Sequence, residues 1–428
     1  VVRGAAAAFA AAWGGPAAPA STTTGFTLFP TEPPTLRSYL AEINAHPQNA
    51  AQPGALLPED PLSAAAESIR GVLGSLGITY QLNQAFLMSA LSGRVQGDAV
   101  LSAYTAKLWA NWPVFQSNLM GDSAAWISTE FNGGTGFGID WARQSPQANL
   151  GTASAPYNEW LGKDIVVSEV AWAQSFLHGE LVVIAGMIDQ TNYFDTNSLA
   201  NNAFGQLMNS AFTESEVIPM PEQGLGICVQ WEPSEVIYLL AAASTNNLPP
   251  GRQPWQDVGA DDMSYLLEIG LRSESVLGLG AGVARLQPFL ATSDGETGAG
   301  IALNVEQRFS RDGPLGLFGR VGVGDDITAV VGGASAGAAF GLALTAPFTS
   351  AGHFSSQNGE YLGLGLKWTK VGAGREPVRE DEYAVELSGT LQLTPTMTVQ
   401  PGIQYYWDPA FSPRSNALAF QLALNISW

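Results

Sequence analysis

The sequence predicts an all-β fold, a closed antiparallel β-barrel of about sixteen strands that crosses a membrane, preceded by a short N-terminal helical extension. Three observations predict it. Period-two alternation of apolar and polar residues recurs from residue 78 to the end of the 428-residue chain. Hydrophobic residues make up 46% and charged residues only 13%, against roughly 25% charged in an ordinary soluble domain. No apolar run reaches the ~18 residues a membrane helix needs, so the remaining way to span lipid is a barrel that pairs all its own backbone groups. The 48 glycines and 26 prolines suit many strands and turns better than long helices.

From the N-terminus, residues 1–57 read as an Ala/Pro-rich extension. Its opening, an arginine, a short apolar stretch and small residues around Ala18 and Ala20, has the layout of an export signal. A retained Ala-rich helix and a signal remnant are both open, and retention is the reading taken. Residues 58–77 form a short periplasmic helix, with Pro61 and Ser63 placed for its start and Gly77 for its stop.

Residues 78–428 form the barrel. Strands are expected to begin near residues 78, 98, 123, 163, 180, 224, 235, 263, 284, 298, 315, 334, 360, 381, 396 and 417. The alternation is cleanest toward the end. Tyr383, Val385, Leu387, Leu391 and Leu393 share one face, opposite Glu382, Glu386, Ser388, Thr390 and Gln392. In the last strand, Leu418, Phe420, Leu422, Leu424 and Ile426 oppose Ala419, Gln421, Ala423 and Asn425. Such a strand suits a wall with lipid on one side and water on the other. Trp368, Trp407 and Trp428 are expected at a membrane interface, where an amphipathic ring is comfortable. A soluble sandwich also alternates, but a chain this poor in charge would lack a surface for it.

The connections support the count. With both barrel ends in the periplasm, turns after even-numbered strands face inward to the cell and include the tight segments at 177–180, 233–235 and 394–396, while the outer set holds the longest segments, 133–162, 190–223 and 244–262. Short inner turns and long outer loops are the outer-membrane pattern.

Several stretches resemble one family. "GITYQLNQAFLMSALSG", "SEVAWAQSFLHGELVVIAGMIDQTNYFD", "GAGIALNVEQRFSRDGPLGLFGRVGVGDD", "GLALTAPF" and "LQLTPTMTVQPGIQYYWDPAFSP" occur in the order found in OprB-type carbohydrate-selective porins. The resemblance covers most of the chain from about residue 68. It implies a sixteen-stranded outer-membrane barrel through which sugars diffuse, narrowed by an infolded loop and by charged and aromatic side chains.

The third outer loop, 190–223, is too long for a plain connection. Phe204, Leu207, Met208 and Ala211 fall on one helical stripe, so part of it is expected to pack as a short helix and the loop to fold into the lumen. Parity assigns Trp126, Glu130 and Glu169 to the inner wall, with Asp189, Tyr193 and Asp195 at the loop's start. On later strands Arg272, Arg285, Arg308 and Arg320 form an expected basic strip, alongside Glu268 and Glu306 and opposed by carboxylates across the lumen. Opposed charges across a narrow wet path would set a transverse field. Glu130, Glu169 and Arg320 lead the list, because Arg272, Arg285 and Arg308 should lie lower. For each residue the plainer alternative is an ion pair within the wall that has no effect on selectivity.

Other classes find little support. The formal charge of −20 argues against nucleic acid. The single cysteine, Cys228, excludes an intrachain disulfide framework. His46, His178 and His353 are too dispersed for a multi-histidine metal site or a Ser-His pair. The glycine clusters at 278–282 and 319–324 lie in strand-rich sequence, where the following helix of a nucleotide loop is not expected, and Asp325 and Asp326 could hold a calcium ion at the outer rim, although exposed acidic loops are commoner than metal sites. No enzyme activity and no cofactor are expected. The expected surroundings are bacterial outer-membrane lipid and small carbohydrates or other polar solutes, with homo-oligomer formation left open. The competing reading is an anchoring barrel with a plugged lumen.

Overall fold

The computed structural model describes residues 62–117, 121–133, 145–157, 165–221, 223–246, 262–310, 313–345, 360–372, 375–394 and 396–427. The N-terminal extension, the start of the expected helix segment, Trp428, His46 and His353 lie outside the described residues. Sixteen strands follow one another: β1 (Thr79–Ser92), β2 (Val100–Ser117), β3 (Gly121–Gly133), β4 (Ile165–Phe176), β5 (Leu181–Ile188), β6 (Gly224–Trp231), β7 (Ile237–Thr245) and β8 (Met263–Ser273) build the first half. The second half is β9 (Gly282–Ser293), β10 (Glu296–Arg308), β11 (Leu315–Gly324), β12 (Ala334–Thr345), β13 (Tyr361–Val371), β14 (Asp381–Gln392), β15 (Met397–Trp407) and β16 (Asn416–Ser427). Each strand begins within two residues of its expected start.

Every strand pairs antiparallel with its chain neighbours, and β1 closes the barrel on β16 from Asn83 opposite Ser427 to Ser92 opposite Leu418. Closure leaves no strand edge unpaired, which is what a hydrocarbon surrounding demands. Among the described residues no helix is long and apolar enough to cross a membrane.

Alternation sorts the side chains as the sequence pattern requires. Phe86, Leu267, Leu290, Leu303, Phe340, Leu366, Leu387 and Phe420 point out and are exposed. Their chain neighbours point in and are buried, among them Ala85, Glu268, Ala291, Asn304, Ala339, Lys367, Glu386 and Ala419. At the long-loop rim, Trp368 lies opposite Tyr383, and Tyr383 opposite Trp407, an outward row of aromatic rings across three strands. Exposed Trp112 and Trp231 occupy the other rim. Two aromatic bands flanking an apolar zone match the two interfaces of a bilayer.

Helix α1 (Ser63–Ser75) precedes the barrel. Its stop is as expected: Gly77 takes the left-handed conformation, and the Ile78 amide reaches back to the Leu73 carbonyl at 3.0 Å. Its start differs, since Ser63 is the first helical residue and the capping position, Leu62, supplies no side-chain cap. Three short helices sit in the loops at the long-loop end: α2 (Pro146–Leu150), α3 (Ser210–Thr213) and α4 (Asp326–Gly332). The last corrects the expectation that no helix follows the 319–324 glycine cluster: Asp325 caps it, accepting the Thr328 amide at 2.9 Å.

Candidate functional site

The barrel wall is lowest at β5 and β6, eight residues each against 14 and 18 for β1 and β2. The connection between β5 and β6 leaves the wall there and lies against the inward faces of strands on the far side. It contains little regular structure, so its backbone groups need other partners. The wall supplies them. Asn304 on β10 donates to the Asp195 carbonyl at 2.9 Å, Tyr361 on β13 to Leu199 at 2.8 Å, and Asn425 on β16 to Phe204 at 2.5 Å. Thr390 and Ser388 on β14 donate to Gly205 and Gln206, and Gln400 on β15 also bonds Gln206. Glu386 accepts the amides of Met208 and Asn209 at 2.6 and 3.0 Å.

Apolar seats complete the fit. A Cβ added at Gly316 would stand 2.6 Å from Leu199 Cδ1, one at Gly365 2.6 Å from Phe212 Cε1, and one at Gly402 2.9 Å from Met208 Sδ. These wall glycines are the sockets that let the loop's side chains approach the sheet. Phe204, Leu207, Met208 and Ala211 are all buried. They do not share a helix, however, because only α3, a single turn capped by Asn209, forms in this stretch. The wall's hydrogen-bond donors hold the chain more extended than a helical stripe would require.

The residues singled out by parity divide into three groups. At the root of the loop, Glu169 Oε2 accepts from Trp126 Nε1 at 3.3 Å, while Oε1 accepts from the Tyr193 hydroxyl at 2.6 Å and the Asp189 amide at 3.1 Å. Asp189 accepts from the Thr191 amide and hydroxyl. Burial pushes its carboxyl up to about 7, against the pull of Lys107. Glu130 pairs with Lys107 at 3.2 Å, and the Lys107 ammonium stands 4.8 Å from the ring centre of Trp109.

The second group is a buried charge network on β8 to β11. Arg285 Nη2 bonds Glu306 at 2.7 Å, and its Nε lies 3.8 Å from Glu268. Glu268 accepts the Tyr238 hydroxyl, Gln287 at 2.8 Å and the Asp195 amide at 3.1 Å. Glu306 accepts both the amide and the hydroxyl of Ser198. Arg320 donates from Nε to the Asp195 carboxylate at 2.8 Å, from Nη2 to the Asp195 carbonyl at 2.8 Å, and from Nη1 to the Phe212 carbonyl at 2.6 Å.

The third group lies toward the short-turn end and meets the second at Tyr238. Arg272 bonds Glu232 at 3.2 Å and lies 4.4 Å from the centre of the Tyr238 ring, and Arg308 is half-buried at the end of β10.

This arrangement corrects the expected basic strip facing carboxylates across a lumen. Arg272, Arg285 and Arg320 are each matched by a carboxylate on a neighbouring strand, the adjoining turn or the loop. Burying an ion costs several kcal/mol unless a partner stands close, so charges covered by the loop pair sideways instead of facing one another across open water.

Several participants were not among the expected site residues. Asn304, Tyr361, Glu386 and Gln404 all anchor the loop, and Lys367 joins Glu382 at 2.7 Å beneath it. Their inward parity was the available signal, but nothing in spacing marks which inward residues meet a loop more than a hundred positions away.

Residues 281–428 match the family model described as carbohydrate-selective porin, OprB family. Over these residues the chain is similar to that family. Over the whole fold the chain is similar to OprB of Pseudomonas putida. The high-pH structure of that protein aligns with a TM-score of 0.66 at 16% identity, covering 89% of this chain and all of the other. The low-pH structure aligns with a TM-score of 0.51 at 14% identity, covering 86% and 98%. No curated protein sequence matches the chain. The family match falls on β9 to β16, the strands whose polar inward faces receive most of the loop.

Proposed function

We propose that the protein is an outer-membrane porin that lets sugars or other small polar solutes diffuse through a water-filled lumen, narrowed by the loop after β5. The observation that carries this reading is the closed sixteen-strand wall, apolar outside and polar inside, whose C-terminal half is similar in sequence to the OprB family. The end bearing the long loops faces the exterior, and α1 lies on the periplasmic side. Asp195, Glu268, Glu306, Arg285 and Arg320 fix the loop's position, and through it the width of the path. A channel needs weak contacts that release the solute, and no covalent chemistry enters.

An anchoring barrel with a filled lumen is the second reading, favoured by the burial of Arg285, Glu268 and Glu386 beneath the loop. Liposome swelling separates the two. Vesicles carrying the refolded chain should swell in isosmotic monosaccharide, more slowly in disaccharide, and hardly at all in a large oligosaccharide. Vesicles that fail to swell in any sugar, although they contain folded barrel, would leave only the anchoring role.

A further inference from the structure

Helix α1 carries an uncovered apolar face. Ile69, Val72 and Leu76 recur at the i, i+3, i+7 spacing of one helix side, and they are 43%, 63% and 65% exposed. Glu67, Gly71 and Ser75 occupy the far side and are exposed as well. With one glutamate and one arginine in its length, the helix has no net charge. A helix bathed in water turns its large apolar side chains onto the protein; this one does not.

Its position identifies the cover. α1 runs through Gly77 and Ile78 into β1, where Thr79 stands opposite Asn111 and so beside Trp112, an exposed ring of the short-turn rim. The helix therefore ends at the level where headgroups meet hydrocarbon. It also lies outside the wall. Tyr80 is opposite Ala110 and shares the parity of Phe86 and Met88, which point out and are exposed, yet Tyr80 is only 8% exposed. An outward side chain can be covered only from outside, and α1 packs on β1 here. Arg70 is half-buried, and its charge reaches the Tyr80 phenol. Arg70 Nε and the Tyr80 hydroxyl are both buried without a hydrogen-bond partner among the described residues.

Arg70 and Leu73, both half-buried, mark the side turned to the wall. At 3.6 residues per turn that side is about a quarter turn from the stripe of Ile69, Val72 and Leu76. With the barrel against one flank of a helix lying flat, the stripe faces along the barrel axis, and the hydrocarbon begins at that level. The apolar face is thus continuous with the lipid-facing surface of the wall.

We propose that α1 is an interfacial anchor, lying flat on the membrane outside the barrel at the short-turn end, with Ile69, Val72 and Leu76 among the lipid acyl chains. Its hold comes from apolar burial and not from charge, since the helix has no basic face to attract anionic headgroups. The inference rests on the membrane placement of the barrel, not on its conducting solute.

The test is site-directed fluorescence on the full-length protein refolded in lipid vesicles. In a Cys228→Ala background, the variants Ile69→Cys, Val72→Cys and Leu76→Cys, with Glu67→Cys and Ser75→Cys for the far side, each carry an environment-sensitive dye. Lipid bearing a nitroxide on its acyl chain should quench the first three several-fold more than the last two, and aqueous iodide should quench in the reverse order. The nitroxide pattern should persist between about 0.1 M and about 1 M salt, where the Debye length shrinks from ~10 to ~3 Å, and in vesicles without anionic lipid. Equal iodide quenching at all five positions overturns the inference. So does shielding from iodide without nitroxide quenching, which would mean that protein, either the residues before α1 or a second copy, covers the face. Should a variant fail to fold, the unaltered protein still decides: photoactivating a lipid with a diazirine on its acyl chain should leave adducts on the peptide spanning α1 as well as on the wall strands, and adducts on the wall alone overturn the proposal. A barrel that carries no current but keeps the quenching pattern would remove the channel reading and leave the anchor standing.

Discussion

Replacing Arg320 by alanine tests how the loop is held. The guanidinium is buried and makes four hydrogen bonds to the loop: two to Asp195, one to Phe212, and a longer one to Thr213 at 3.3 Å. Removing one partner of a buried ion pair costs about 3–5 kcal/mol, because the other charge is left uncompensated. Asn304 still reaches the Asp195 carboxylate at 2.7 Å, which places the expected loss at about 3 kcal/mol. The double variant Arg320→Met with Asp195→Leu removes both charges and fills the space, so it should lose much less than the two single changes together. Equilibrium urea unfolding of the refolded protein in lipid vesicles measures all four corners of that cycle. The same single variant should show noisier channel current, since the released segment carries Asp195 and the Phe212 turn. A loss below about 0.5 kcal/mol for Arg320→Ala, the range of an ordinary surface change, would show that this cluster does not anchor the loop.

Gly365→Ala should destabilise by about 1–3 kcal/mol, the usual cost of overpacking, because its Cβ meets the Phe212 ring, which is packed edge-on against Phe318. Combining it with Phe212→Leu should recover most of the loss in the same unfolding assay. Deleting residues 196–212 removes the segment seated on β10 to β16 and should raise single-channel conductance; unchanged conductance would mean that the loop does not narrow the path. Asp189 gives a pH dependence. Its folded carboxyl titrates near 7 against an ordinary 3.8, so its contribution to stability is full below about 4 and is lost as pH rises through about 7. Asp189→Asn should therefore flatten the difference in unfolding midpoint between those pH values, and an unaltered profile would contradict the assignment.

The strands were legible because each carries its own signal. A residue such as Phe420, between Ala419 and Gln421, announces which face meets lipid, and the same rule repeated along the chain places all sixteen strands. The site was legible only as far as parity reaches. Parity turns Glu169 and Arg320 inward, but it does not find their partners on the loop, and the Asp195–Arg320 pair spans 125 positions that no local period connects. The helix expected around Phe204 failed for the same reason, since donors on distant strands captured the carbonyls a helix would have used. Gly316, Gly365 and Gly402 have the pattern of ordinary strand glycines, and only the folded chain seats Leu199, Phe212 and Met208 on them.

The most direct measurement is the current through single barrels inserted in a planar bilayer, with folding checked beforehand by the shift in gel mobility on heating. Discrete, stable steps that scale linearly with salt, and that dim when sugar is added, are the predicted record. Folded protein that inserts and stays electrically silent would contradict the claim that the wall encloses a continuous wet path.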